Sequence, residues 1–121
     1  MAGLIIFLVI SFLVSLIFII LGITQLHSKV PVGINTGEQP PREDELVDMH
    51  EWNYKHGRNF IIYGCALFIT LLLFKIFLPL IENTGIVLTV FFIFIIGEVV
   101  WLEVQHYLLK KKLIKRSLHV F

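Results

Sequence analysis

Three long apolar runs, parted by one polar segment and one short turn, make up most of the chain. The first, GLIIFLVISFLVSLIFIILGI (residues 3–23), carries no charged residue. The second, NFIIYGCALFITLLLFKIFLPL (59–80), holds Lys75, and the third, GIVLTVFFIFIIGEVVWLEVQHY (85–107), holds Glu98 and Glu103. Each is long enough for the roughly 20 helical residues that cross a hydrocarbon layer. Periodicity alone does not separate a buried helix from a strand in such runs. Lipid does, because only a helix satisfies every backbone N–H and C=O within one segment. The pattern predicts an all-α integral membrane three-helix bundle. Its spans are expected at 1–26, 59–80 and 85–107, with a connection at 27–58, a turn at 81–84 and a tail at 108–121.

The connection divides in two. VPVGINTGEQPP (30–41) contains Pro31, Gly33, Gly37, Pro40 and Pro41 and reads as irregular. REDELVDMHEWNYKH (42–56) has no breaker, an acidic start and a basic end, which suits a helix dipole. Glu51 and Lys55 stand i, i+4 for a surface pair. This stretch predicts a juxtamembrane helix lying at the interface, with Trp52 and Tyr54 at headgroup level. Gly57 then allows either a break or a close helix contact before the second span.

Composition strengthens the membrane reading. Of 121 residues, 57% are hydrophobic and eleven are Phe, against roughly 45–50% apolar content in soluble domains. The first run lacks a basic leader and an Ala-x-Ala site, so it is expected to be a retained helix rather than a signal peptide. Net charge is +1 and excludes little. Its distribution matters more. Lys29, Arg42, Lys55 and Arg58 lie in the connection, and Lys110, Lys111, Lys112, Lys115 and Arg116 lie in the tail. With three spans these share one face, and nine of ten basic residues on one face mark it as cytoplasmic. The N-terminus is then expected outside and the C-terminus inside. Trp52, Tyr54, Tyr63, Trp101 and Tyr107 cluster toward the same face as an aromatic belt. The single cysteine, Cys65, admits no intramolecular disulfide.

The stretch HEWNYKHG (50–57) invites a zinc-peptidase reading. Two ligands on one helix face need the four-residue spacing of HExxH. His50 and His56 are six apart, about 240° around a helix, so they face different directions and no metal or other cofactor is expected. No Ser-His-Asp set, Cys-His pair or phosphate loop appears either, and an enzyme is not expected. Glu98 is the main candidate for function, since an ionisable residue within a span is costly and usually faces the bundle interior. Tyr63 lies at similar depth and is the expected hydrogen-bond partner. Ser11, Ser15 and Gly22 form a stripe of small residues that lets another helix approach closely. His106 and Glu103 are expected to be solvated near the interface. Asn35, Thr36, Trp52, Asn53 and His56 are expected to make a polar pocket at the cytoplasmic mouth of the bundle.

Two of these groupings carry a resemblance. Gly33, Ile34, Asn35 and Thr36 follow the first span, and Trp52 with His56 precede the second. In both, the connection resembles that of small bacterial membrane proteins related to the immunity protein of the sporulation-delaying-protein toxin system. It differs by a longer, acidic, Pro-Pro-containing insert between the two halves. The resemblance implies a multi-pass protein of the bacterial plasma membrane that acts by interaction, as an immunity or accessory factor. The expected partners are the bilayer, a membrane protein or peptide, or further copies of the chain, and not nucleic acid. Glu98 supports an alternative, a subunit of an oligomeric small-solute or proton-coupled transporter.

Overall fold

The computed structural model describes residues 2–33 and 39–114. Three α-helices dominate: α1 (Ala2–Leu26), α2 (Met49–Phe77) and α3 (Thr84–Leu113). All three are long and apolar enough to cross a membrane, and no strand occurs among the described residues. The protein is therefore a multi-pass helical membrane protein. At 1.5 Å per residue, each helix runs about 37–45 Å, beyond the roughly 30 Å hydrocarbon core. The surplus projects from the bilayer as helix.

Most of that surplus gathers at one end, where α2 begins and α3 finishes. Asp48 starts α2: its backbone is extended and its side chain accepts from the Glu51 N–H at 3.1 Å. Lys110, Lys111 and Lys112 occupy the last turn of α3, where cations favour the negative end of the helix dipole. At the other end, Pro79 follows the close of α2. Asn83 caps α3 by accepting from the Ile86 N–H at 3.2 Å.

The juxtamembrane helix expected over 42–56 is not a separate element. Glu43–Glu45 form one 3₁₀ turn, Leu46 is extended, and helix begins only at Met49. From there α2 runs unbroken through Gly57 into the membrane. Burial of Leu46 explains the interruption. Its side chain joins Trp52, Leu109 and Leu113 in a small core at the polar end. The Val47 N–H donates to the Leu113 carbonyl at 2.7 Å, and Leu46 pairs with Ile114. A helix continued back through Val47 would direct that N–H along its own axis and away from α3.

Within the bilayer α2 is central, packed on α1 and on α3. The α1 contact uses the small-residue stripe. Ser11, Ser15 and Gly22 are buried, opposite Gly57 and Gly64. A Cβ on Gly22 would stand 2.5 Å from the Gly57 carbonyl oxygen, and one on Gly57 would stand 2.5 Å from that of Gly22. A Cβ on Gly64 would stand 2.9 Å from the Ser15 carbonyl oxygen. The two backbones touch, which only glycine permits. Phe18 flanks the contact, stacking on Phe60 and meeting Tyr63 edge-on at 4.9 Å.

Candidate functional site

Two polar groupings remain once the fold is set, one at the polar end and one inside the membrane. The first is a clasp built on the first two turns of α2. Asn53 holds the chain leaving α1: its amide donates to the carbonyls of Ser28 and Val30, and its oxygen accepts from the Val32 N–H at 3.1 Å. The Trp52 indole N–H donates to the Val32 carbonyl at 3.0 Å. Both side chains are buried, Trp52 to 1% exposure. They supply partners to a backbone that Pro31, Gly33 and Pro40 keep out of regular structure.

His56 continues the clasp toward α3. Its Nδ1 lies 2.9 Å from the Trp52 carbonyl oxygen, and its Nε2 lies 3.0 Å from Nδ1 of His106. A carbonyl only accepts, so Nδ1 of His56 carries the proton and donates. In the neutral ring Nε2 then accepts from the Nδ1–H of His106. The Trp52 ring lies 4.1 Å from the His56 ring, sealing the bond from water. Contrary to the expectation of a solvated position, His106 is buried. His50 is exposed, so α2 does turn its two histidines to different faces. Among the described residues no group of three His, Cys, Asp or Glu is placed to hold a metal ion.

Of the five residues expected in a polar pocket here, Trp52, Asn53 and His56 come together. Asn35 and Thr36 lie outside the described residues. The three that are described hydrogen-bond the chain's own backbone and His106. Outside the clasp, Glu51 accepts from Lys55 at 2.7 Å and from Lys112 at 3.2 Å, adding an exposed tie between α2 and α3.

The second grouping lies along the α2–α3 seam. Thr70 Oγ1 donates to Glu98 Oε1 at 2.5 Å. The expected partner, Tyr63, does line the same space as Glu98, but it does not make the hydrogen bond. Thr70 lies seven residues, about two turns, beyond Tyr63 on the same face of α2; the Glu98 side chain leans toward the N-terminus of α3, which carries its carboxyl to Thr70. The second oxygen, Glu98 Oε2, is buried and has no hydrogen-bond partner. Lys75 does not supply one; its ammonium sits 5.4 Å from the Phe7 ring centre on α1.

Beside Glu98 the seam opens into a groove of about 430 Å³, walled by Ile62, Tyr63 and Ala66 of α2 and by Ile93, Phe94, Gly97 and Trp101 of α3. Gly97 differs from the glycines of the other seam. A Cβ placed there would meet nothing within 4 Å. Nothing in the sequence set Gly97 apart from Gly64, and only the packing separates them. The described residues thus define a three-helix membrane protein with a polar clasp at one end and a carboxyl-bearing groove in its wall. No protein family, curated protein or solved structure was found to match the chain.

Proposed function

We propose that the chain is a non-enzymatic protein of a bacterial plasma membrane that acts by interaction, with the α2–α3 groove as its working surface. One observation carries the choice of surface: the clasp residues satisfy one another and the backbone, whereas the groove keeps an unpartnered buried oxygen and an unfilled glycine position. The volume falls in the range of small-molecule and side-chain pockets, roughly 300–1,000 Å³. An immunity or accessory role, as the resemblance implies, is one form such an interaction takes. The placement of Lys and Arg supports the clasp end as cytoplasmic and the N-terminus as outside. With Cys65 replaced by Ala, a cysteine at Glu82 should react with an impermeant thiol reagent in intact cells and one at Lys111 should not; the reverse overturns the orientation.

The interaction reading is tested with a photoreactive benzophenone residue in cells. Placed at Ala66 in the groove, it should give a discrete adduct that an equivalent residue at Ile10, on the exposed side of α1, does not. Equal, diffuse labelling from both positions would reject the groove as a working surface. The unpartnered Glu98 oxygen also supports the transporter reading. Three helices enclose no wide pathway alone, so that reading requires several copies, and a strictly monomeric mass in nanodiscs would exclude it.

A further inference from the structure

The two walls of the groove run as rows. On α2, Arg58, Ile62 and Ala66 recur every four residues and follow one another down one face; on α3, Trp101, Gly97 and Ile93 do the same. Arg58 heads its row where the polar stretch ends and the second apolar run begins, which sets it at the interface on the basic side of the bundle. The deep end lies about 18 Å further along α2, where Thr70 holds Glu98. There the carboxyl is tied to α2 and its second oxygen is buried. Between these two levels the groove presents hydrocarbon and rings.

Arg58 is exposed, and its guanidinium is aimed. Nη2 donates to Oδ1 of Asn59 at 3.3 Å. Asn59 is buried and stands four and eleven residues before Tyr63 and Thr70, on the face that α2 turns to α3. The bond therefore draws the guanidinium over the head of the α2–α3 seam. Asn59 is neutral, and among the described residues no carboxylate pairs with Arg58. Its remaining N–H donors, in the fixed fork of a guanidinium, match the oxygens of a phosphate. An ammonium head would meet like charge there, and a zwitterionic head brings its own cation to the same place. Below the head, Ile93 and Phe94 are 62% and 58% exposed, so the groove opens sideways to the bilayer. One chain of a lipid enters it while a second stays among its neighbours.

We infer that the α2–α3 groove is a binding site for an anionic glycerophospholipid of the leaflet at the basic end, with its phosphate on Arg58 and one acyl chain along Ile62, Ala66 and Gly97. This rests on the groove being the working surface and names what occupies it. The phosphate accepts from the guanidinium, and the chain covers the open position at Gly97. The Thr70–Glu98 bond closes the far end and takes no part in binding the head.

The test uses the full-length protein in phosphatidylcholine nanodiscs doped with one of two photoactivatable lipids, phosphatidylglycerol or phosphatidylcholine, each carrying the same diazirine-bearing acyl chain. Adducts are mapped by peptide mass. The phosphatidylglycerol probe should label Ile62, Ala66, Ile93 or Phe94 about fivefold more than the phosphatidylcholine probe. Arg58→Gln should remove that preference, and Lys29→Gln, an equal loss of charge beyond α1, should keep it. Gly97→Leu should lower groove labelling by both probes, and because its Cβ meets open space it should melt like the parent. Equal labelling by the two probes, a preference surviving Arg58→Gln, or one lost as fully in Lys29→Gln overturns the inference. A benzophenone adduct at Ala66 with the mass of two chains would seat a second copy in the groove and overturn the lipid assignment. A discrete benzophenone adduct with another protein, and no preference between the lipids, would leave the interaction reading standing and remove only the proposed ligand.

Discussion

Along its seam with α1, helix α2 brings backbone against backbone; along its seam with α3, it reaches across with side chains. Gly22, Gly57 and Gly64 leave no room for a single added carbon on the first seam. The second is pinned at points: His56 to His106, Thr70 to Glu98, and Glu51 to Lys112. Between the pins lies the groove. Lipid gives helices no hydrophobic drive to associate, so a seam holds either by close packing or by polar contacts. The α1–α2 seam takes the first route and has no space to offer a ligand. The α2–α3 seam takes the second, and point contacts leave a wall open between them. A small protein can thus keep one closely packed pair of helices beside a seam that stays partly open.

The comparison breaks most readily at Gly57. Gly57→Leu should push α1 from α2, since the new side chain meets the Gly22 carbonyl oxygen and Leu26. Overpacking of this kind costs about 1–3 kcal/mol and occasionally more. Reversible unfolding in mixed micelles should show that loss, and an unchanged unfolding free energy would contradict the close approach. On the other seam the largest effect is expected from His56→Ala. It deprives buried His106 of an acceptor, at about 1–3 kcal/mol. A double-mutant cycle with His106→Ala should show coupling, whereas additive losses would mean that the two rings do not act as a pair.

The intramembrane pin is weaker. Thr70→Val removes one hydrogen bond, and such bonds average about 0.6 kcal/mol in membranes. Its unfolding midpoint should move only slightly. Glu98→Gln should be similarly mild for stability, because the amide oxygen still accepts from Thr70; Glu98→Lys should be severe, at about 2.5–3.5 kcal/mol on insertion scales. Glu51→Gln should have the smallest effect, about 1 kcal/mol or less, and that effect should shrink further in high salt. An Glu51→Gln loss as large as that of His56→Ala would shift the hold on α3 from the clasp to surface charge.

Much of the membrane part was legible because lipid makes apolar length a direct signal. The small-residue stripe of Ser11, Ser15 and Gly22 was legible too, since serines and glycine seven and eleven residues apart on an apolar helix have a packing reason. The clasp was not. Leu46 is one apolar residue in a stretch whose charges and lack of breakers favour helix, and its burial depends on Leu109 and Leu113, more than sixty residues away. Trp52 and Asn53 bond to backbone carbonyls some twenty positions upstream, and backbone groups leave no mark in a sequence. His56 and His106 are fifty residues apart, with nothing in either neighbourhood to connect them. Glu98 stood out as a charge within a span. Its choice of Thr70 over Tyr63, two turns apart on one face of α2, depends on the axial offset of the two helices and the lean of the Glu98 side chain, which counting residues does not specify.

Gly64 and Gly97 lie at nearly one level of the membrane, Gly64 facing α1 and Gly97 facing the groove. The central claim is that the first position is filled and the second is empty. The most direct measurement is the unfolding free energy of Gly64→Leu and Gly97→Leu in the same lipid. Gly64→Leu should lose about 1–3 kcal/mol or more, because its Cβ alone would stand 2.8 Å from the Ile19 side chain. Gly97→Leu should match the parent protein or exceed it slightly, since leucine is the better helix former. Equal losses at the two positions would contradict the account.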